Sequence, residues 1–341
     1  MKVGILGAGF MGGMHLACYQ ALAELGVQVT AIADTNQEGA AKLAGQVGAQ
    51  VFTSGMELMD KGDVDVVDIC LPVHMHTEHA VYAMEKGLAV FCEKPAAIRD
   101  EELDLLLETQ RRTGAKCMIG HVVRFMPEYA WLKKAVAENR YGRLLSGSFY
   151  RLSPRPGWSR NNWLHNPSFS GGVSYDMHMH DVDYVRYLLG DPGKIQAAAY
   201  RDQQGLIQQI MVLYSYGEDT AVSIEAGWDY PPEFAFDAGF RVKLQEATVL
   251  YKNNVLTVYP NSGEAFQPQL EKYVGQSAGI KGNISDLGGY YDELKYFVEG
   301  LQGKNDLSRS SLAEAVQSIR LIHKEVSAAG GLIVEKPKAV D

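Results

Sequence analysis

The sequence predicts an α/β protein in two parts: a parallel sheet at the N terminus, then an α+β domain with a large, mostly antiparallel open sheet. Strand-like apolar runs alternate with helical patterns up to about residue 120, as in βαβ units. From residue 194, six strand-like runs follow one another with short turns, which is typical of an antiparallel sheet. We predict domains over residues 1–122 and 123–341, with the C-terminal helices able to pack back on the first domain.

Composition limits the classes of function. Of 341 residues, 46% are hydrophobic and 21% are charged, which indicates packed domains rather than disorder. The formal net charge of −9 argues against a nucleic-acid surface or an anionic membrane as a partner. No apolar run reaches membrane-spanning length, and Met1 leads into what reads as a buried strand rather than a signal peptide. Three of the four cysteines lie in apolar runs, so we expect buried thiols in a cytoplasmic protein.

A glycine-rich turn, GAGFMG at residues 7–12, follows the first predicted strand and opens a helix. Gly7 makes the tight turn, Gly9 lets the backbone approach a pyrophosphate, and Gly12 lets the helix pack closely on the strand. A second strand ends in Asp34, about 20 residues further on. This order predicts a Rossmann dinucleotide-binding domain, and the alternative is a glycine turn without a ligand.

Asp34 also selects the cofactor. Its carboxylate can accept hydrogen bonds from ribose hydroxyls and would repel a 2′-phosphate. The three residues that follow Asp34 supply no arginine to bind such a phosphate. The sequence therefore predicts NAD in preference to NADP.

The alternation continues through four more predicted strands, at residues 50–52, 65–72, 88–92 and 116–120. The run at 65–72 leads into His74, His76 and His79, whose spacing and lack of further ligands favour a helix start near the cofactor over a metal site. The strand at 88–92 leads into Glu-Lys-Pro, which places Lys94 beyond the carboxyl end of a strand, where open parallel sheets bind ligands. The alternative is an ordinary surface lysine.

The second half contains two stretches of interest. Residues 151–170 lack periodicity, and a loop of this length is usually functional or disordered. Its aromatic and amide side chains, Trp163 among them, suit a polyhydroxylated ligand; a lid or an oligomer contact is an equal alternative. Residues 171–190 predict one helix with an apolar face and a glycine stop.

On that helix Asp176 and His180 lie four residues apart and therefore share a face. Such a pair can act as an acid and a base, although the helix alone favours an N-terminal carboxylate beside a buried histidine. Two further helices, at about 285–300 and 308–329, end the predicted fold.

These features together resemble the Gfo/Idh/MocA oxidoreductases, the glucose–fructose oxidoreductase and inositol dehydrogenase superfamily. The resemblance covers nearly the whole chain and rests most on Glu93-Lys94-Pro95 combined with the Asp-x-x-x-His of Asp176 and His180. It implies a Rossmann domain and a second domain that oligomerises through its sheet, as a homodimer or homotetramer. It also implies a catalytic trio of Lys94, Asp176 and His180.

The trio suits oxidation of a secondary alcohol on a sugar, an inositol or a related polyol. Histidine titrates near neutral pH, so His180 is a suitable general base. Lys94 would stabilise charge on the reacting oxygen, and Asp176 would orient His180 or a substrate hydroxyl. Two other functions stay open: a redox-assisted glycosidase or lyase that retains its NAD, and an NAD-sensing regulator without catalysis.

The expected cofactor contacts are Gly7, Gly9, Phe10, Met11, Gly12, Asp34, Leu71, Pro72, His76, Glu93 and Lys94. The expected substrate contacts are Lys94, His121, Trp163, Asp176 and His180. No metal is expected. The chain departs from the family at His178, where glycine is frequent, and at Val122 or Val123, where asparagine is usual.

Overall fold

The computed structural model describes residues 1–157, 159–273 and 287–330. The chain divides into two compact units. Unit 1 comprises Met1–Met126 and Lys272–Val316, and unit 2 comprises Pro127–Glu271 and Gln317–Asp341.

Unit 1 contains a six-stranded parallel sheet in the order β3-β2-β1-β4-β5-β6. Its strands are β1 (Lys2–Leu6), β2 (Gln28–Ala33), β3 (Gln50–Phe52), β4 (Val66–Ile69), β5 (Ala89–Glu93) and β6 (Cys117–Gly120). Its first five helices are α1 (Phe10–Ala21), α2 (Gln37–Ala44), α3 (Gly55–Lys61), α4 (His76–Glu85) and α5 (Asp100–Thr113). The strand order reverses between β1 and β4, which is where doubly wound sheets bind dinucleotides. The Rossmann prediction is confirmed.

Local signals explain where these helices begin and end. The Ser54 hydroxyl accepts the Glu57 N–H at 3.2 Å and caps α3. Helix α5 carries three acidic residues in its first turn and two arginines in its last turn, which complements the helix dipole. It ends at Gly114, whose φ of +67° only glycine adopts readily.

Unit 2 contains a seven-stranded sheet in the order β13-β12-β11-β7-β10-β9-β8. Its strands are β7 (Leu144–Pro154), β8 (Lys194–Arg201), β9 (Ile207–Tyr216), β10 (Thr220–Tyr230), β11 (Asp237–Leu244), β12 (Ala247–Lys252) and β13 (Val255–Pro260). Its helices are α6 (Pro127–Ala137), α7 (Pro167–Ser170) and α8 (Met179–Leu189). Among the described strand pairs of this sheet, only β7 with β10 is parallel. The predicted open, mostly antiparallel sheet is confirmed.

The core of unit 2 is aromatic. Tyr129 lies edge-on to Tyr184 and to Phe240, with ring centroids 4.7 Å and 5.0 Å apart. A buried ion pair adjoins it, in which Arg151 contacts Asp181 through two nitrogens at 3.0 Å and 3.3 Å. Bidentate contact is what allows a charged pair to persist in an apolar interior.

Two expectations are wrong in detail. Residues 151–170 are not a structureless loop, because β7 extends to Pro154, a 3₁₀ helix covers Arg160–His165, and α7 follows. The start signal for α7 is local: the Asn166 side chain accepts the Ser168 N–H, and a proline occupies the first turn. Trp158 lies outside the described residues. The predicted helix at 171–190 is also not uniform, since Ser174–His178 is π-helical and α8 follows it.

The C-terminal helices are α9 (Gly288–Leu301) and α10 (Leu312–Ala328). Helix α9 belongs to unit 1 and contributes Leu294 and Phe297 to its core. The segment after α9 is tied to unit 1 by Arg124 and Arg309, each of which donates a side-chain hydrogen bond to the other's carbonyl oxygen. Ser285, where the first of these helices is predicted to begin, lies outside the described residues. None of the helices in the described ranges has the length and apolar character to span a bilayer.

Candidate active site

The glycine turn between β1 and α1 has the shape of an anion cradle. A Cβ on Gly7 would lie 2.6 Å from the Cys70 carbonyl oxygen, and a Cβ on Gly12 would lie 1.9 Å from the Gly7 carbonyl oxygen. Both positions therefore require glycine for packing. Gly9 is exposed and a Cβ there would meet nothing within 4 Å, so its surroundings are open to a ligand. The first turn of α1, which begins at Phe10 and Met11, carries neither a side-chain cap nor an acidic residue, which suits a pyrophosphate.

Asp34, directly after β2, borders this cradle. One carboxylate oxygen accepts the Ala8 N–H at 2.8 Å and the other accepts the Asn36 N–H at 2.6 Å. These two backbone bonds fix the orientation of the carboxylate. The acid is thus held where the Rossmann motif needs it.

The loop after β4 carries Leu71 and Pro72, both half-buried. His76, by contrast, is buried, and its two ring nitrogens lie 2.7 Å from the Leu71 carbonyl oxygen and 2.8 Å from that of Pro95. Burial lowers the pKa of His76. His76 therefore joins the loops after β4 and β5 through their backbones. His79 is engaged in the same way, with Nδ1 2.9 Å from the Met75 carbonyl oxygen.

Lys94 follows β5 directly. Every other residue from 90 to 98 is buried, whereas Lys94 is half-exposed. Its backbone N–H donates to the carboxylate of Glu93 at 3.2 Å, and the Lys94–Pro95 peptide bond is cis. His121 lies at the end of the neighbouring strand β6 and is buried. Because the strands are parallel, all these residues follow the same edge of the sheet in unit 1.

Asp176 and His180 lie in unit 2, on the π-helical turn and the first turn of α8. From residue 173 to residue 185 these two are half-exposed and the remaining eleven are buried. A π-helical turn closes hydrogen bonds over five residues and is frequently found at functional sites. Trp163 is half-buried in the 3₁₀ helix of the same unit.

Comparison with protein families identifies the architecture. Residues 1–121 match the model of the oxidoreductase family with an NAD-binding Rossmann fold, and residues 129–250 match the GFO/IDH/MocA C-terminal domain. The chain belongs to the Gfo/Idh/MocA oxidoreductase family.

Relatives within the Gfo/Idh/MocA family include two dehydrogenases. The chain is 32% identical over 210 residues to levoglucosan dehydrogenase of Pseudarthrobacter phenanthrenivorans, and 31% identical over 200 residues to inositol 2-dehydrogenase of Rhizobium meliloti. Each match covers 58% of this chain, and the chain spans 53% and 58% of those relatives' lengths. A solved structure of levoglucosan dehydrogenase with NADH and levoglucosan has a TM-score of 0.79, with 24% identity and 97% of each chain covered.

Sequence reasoning missed a buried polar group in this Gfo/Idh/MocA chain, which we call the His15 cluster: His15, Asp68, Cys70, Glu93 and Glu293. Nδ1 of His15 lies 2.8 Å from the Asp68 carboxylate and 3.2 Å from the Cys70 sulfur. Nε2 of His15 lies 3.1 Å from Glu93. The sequence does contain a signal for this cluster, because Asp68 interrupts an apolar parallel strand whose other residues are all buried.

Burial and mutual contacts shift the pKa values of three members of the His15 cluster. Burial lowers the pKa of His15, but Asp68 and Cys70 together raise it more, through their charges and hydrogen bonds, and the net pKa lies well above its ordinary value. Burial raises the pKa of Glu93, and the contact with His15 lowers it below its usual range. Glu293 behaves in the opposite way, since burial and then the charge of Glu93 raise its pKa well above the ordinary value. These shifts favour the cationic form of His15, the anionic form of Glu93 and the neutral form of Glu293.

Proposed function

We propose that this protein oxidises a secondary alcohol of an inositol, a sugar or a related polyol, with NAD as hydride acceptor. The names of the matched relatives, levoglucosan dehydrogenase and inositol 2-dehydrogenase, support the substrate class. The observation that carries the proposal is the exposure pattern, in which Lys94, Asp176 and His180 are the accessible members of two otherwise buried segments. A lysine, a carboxylate and an imidazole provide the acid–base chemistry that alcohol oxidation requires.

Each residue of the trio has a distinct proposed task. Alcohol oxidation takes a hydride from carbon and a proton from the hydroxyl, and NAD, when bound, accepts the hydride. His180 accepts the hydroxyl proton, because a neutral imidazole is a competent base near neutral pH. Lys94 donates to the reacting oxygen and stabilises its developing negative charge. Asp176 orients the imidazole or a second substrate hydroxyl.

We place NAD along the carboxyl-terminal edge of the sheet in unit 1. The open surroundings of Gly9 and the uncapped first turn of α1 support a pyrophosphate there. The negative charge of Asp34 supports a preference for NAD over NADP. His76 and Glu93 act indirectly on the cofactor site, through hydrogen bonds to backbone groups of its loops. Leu71 and Pro72 border the cofactor directly. His121 and Trp163 are proposed to line the substrate pocket.

The test is NADH formation with myo-inositol, scyllo-inositol, levoglucosan and free aldoses. Lys94→Ala and His180→Ala should each lower kcat by orders of magnitude and leave the NAD dissociation constant nearly unchanged, because both groups act on the reacting oxygen. Lys252→Ala, at an exposed lysine on β12, is the matched control and should retain full activity. Equal loss of NAD binding in both active-site variants would contradict the assigned roles.

Two other results would replace the proposal. Cleavage of glycosides with bound NAD but without NADH release would identify the redox-assisted glycosidase. NAD binding without turnover of any compound in the panel would identify a regulator.

We also propose a homodimer or homotetramer that assembles through the sheet of unit 2, in the cytoplasm. Tyr200, Met211 and Leu213 are 57%, 51% and 39% exposed and lie on one face of β8 and β9. Contiguous exposed apolar surface of this kind supports a subunit interface. The four cysteines are unpaired thiols, in keeping with a reducing compartment. Met211→Glu should shift the sedimentation coefficient to that of a monomer; an unchanged assembly would exclude this face.

A further inference from the structure

His178 lies in the chain between the two accessible residues of unit 2, Asp176 and His180. Its side chain is fully buried, unlike theirs. An imidazole in such a place requires a hydrogen-bond partner, because an unpaired buried polar group is costly.

The partner comes from a distant part of the chain. Nε2 of His178 lies 3.1 Å from Oε2 of Glu325, on α10, and both side chains are fully buried. The other oxygen of Glu325 accepts the hydroxyl of Tyr214, on β9. Since the carboxylate accepts both bonds, Nε2 of His178 carries the proton. Burial and the adjacent Glu325 raise the pKa of Tyr214 well above its ordinary value, so the hydroxyl remains a donor.

These hydrogen bonds connect the π-helical turn to α10 and to β9. A second bond reinforces the connection to α10, in which the Ser318 hydroxyl donates to Asp183 of α8 at 2.8 Å. Helix α10 therefore holds the turn through His178 and holds the following helix through Asp183. A π-helical turn is rare and occurs mostly as a single turn within an α-helix. Side-chain hydrogen bonds of this kind therefore stabilise it against the α-helical alternative.

We propose that His178 is a positioning residue, which acts through Glu325 and Tyr214 to fix the π-helical turn and hence the directions of Asp176 and His180. The inference rests on the proposed function, because that function gives Asp176 and His180 their catalytic roles. His178 itself does not contact the substrate.

The first measurement is steady-state kinetics, with kcat expressed per NAD-binding site so that inactive protein is not counted. His178→Leu introduces an apolar side chain of similar size and removes the donor to Glu325. We expect kcat with the best polyol of the panel to fall about 10- to 100-fold, with the KM for NAD within about twofold. His178→Gln, whose amide can donate to Glu325, should restore most of the lost kcat.

Two further variants make the test independent of folding. Tyr214→Phe removes one hydroxyl and should lower kcat in the same direction, by less, even if His178→Leu fails to fold. Met179→Leu is the control, since Met179 is a buried apolar neighbour of His178 and this exchange nearly conserves volume. Its kinetics should match the wild type.

The second measurement is amide hydrogen exchange of peptides that cover residues 171–190. Exchange should accelerate in His178→Leu and Tyr214→Phe, and remain at the wild-type rate in His178→Gln and Met179→Leu. Unchanged kcat and exchange in His178→Leu would overturn the inference, as would a His178→Gln protein that is no better than His178→Leu. If the wild type forms no NADH with any polyol, the proposed function fails, and the exchange rates still decide whether His178 fixes the turn.

Discussion

Replacement of Glu293 with glutamine tests the charge state of the His15 cluster. The Glu293 carboxyl is fully buried, and neither of its oxygens has a hydrogen-bond partner among the residues that the structure describes. Burial and the charge of Glu93 raise its pKa well above the ordinary value, so folding favours the protonated form of this carboxyl. Glutamine has the shape of a protonated glutamate and cannot ionise. We therefore expect Glu293→Gln to be more stable than the wild type at neutral pH.

The magnitude follows from proton linkage. The unfolded chain releases the Glu293 proton at about pH 4.3, the ordinary value for glutamate. Above that pH the folded state binds one proton more than the unfolded state, so stability falls as pH rises, until the raised folded pKa is passed. Between the unfolded and the folded pKa, each pH unit lowers the stability of the wild type by about 1.4 kcal/mol, and the variant keeps this stability. His15 has the same sign of linkage, but it is present in both proteins and cancels in their difference.

The assay is urea unfolding of both proteins from about pH 4 to about pH 8. The two free energies of unfolding should converge near the acidic end, and the wild type should fall below the variant as the pH rises, by up to about 1.4 kcal/mol per pH unit. Glu108→Gln, at an exposed position of α5, is the matched control and should run parallel to the wild type. Parallel curves for Glu293→Gln and the wild type would refute the reasoning, because Glu293 would then bind the same number of protons in both states.

Two further predictions concern the cofactor cradle. Asp34→Asn keeps an acceptor oxygen and removes the charge, so NADP should bind about tenfold more tightly, a change of about 1.4 kcal/mol, and the preference for NAD should narrow in fluorescence titrations; an unchanged preference would show that Asp34 is not the selector. Gly12→Ala places a methyl group 1.9 Å from the Gly7 carbonyl oxygen and should abolish NAD binding, whereas Gly13→Ala, whose nearest neighbour lies 4.0 Å away, should bind NAD normally and stabilise α1 by up to about 1 kcal/mol. Normal NAD binding by Gly12→Ala would contradict the assigned close packing.

The Rossmann half could be predicted because its signals are local in the chain. Gly7 and Gly12 lie at the turn between the first strand and helix, and Asp34 follows the second strand. This order within one βαβ unit is the signature of a dinucleotide-binding sheet. The exposure of Lys94 likewise follows from its place after a core strand. The same reasoning predicted the antiparallel sheet of unit 2, because six short strands with short turns leave few other arrangements.

The inner support of the site could not be predicted in this way. Val182 and Val185 have the spacing of an α-helix and are buried as expected, but such spacing does not reveal a wider turn immediately before them. The His15 and Glu93 side chains, and likewise those of His178 and Glu325, are in contact although they lie far apart in the sequence. Their pairing depends on tertiary packing, which no local pattern reports.

The two units share one arrangement around the accessible residues Lys94, Asp176 and His180. In each unit, a buried polar residue adjacent in sequence contacts a partner that is distant in sequence. Glu93, next to Lys94, contacts His15, and His178, between the two accessible residues of unit 2, contacts Glu325. Loss of one member of a buried charged pair such as His15 and Glu93 typically costs about 3–5 kcal/mol, because the other is left unpaired. The direction of each accessible side chain is therefore coupled to the stability of the core behind it.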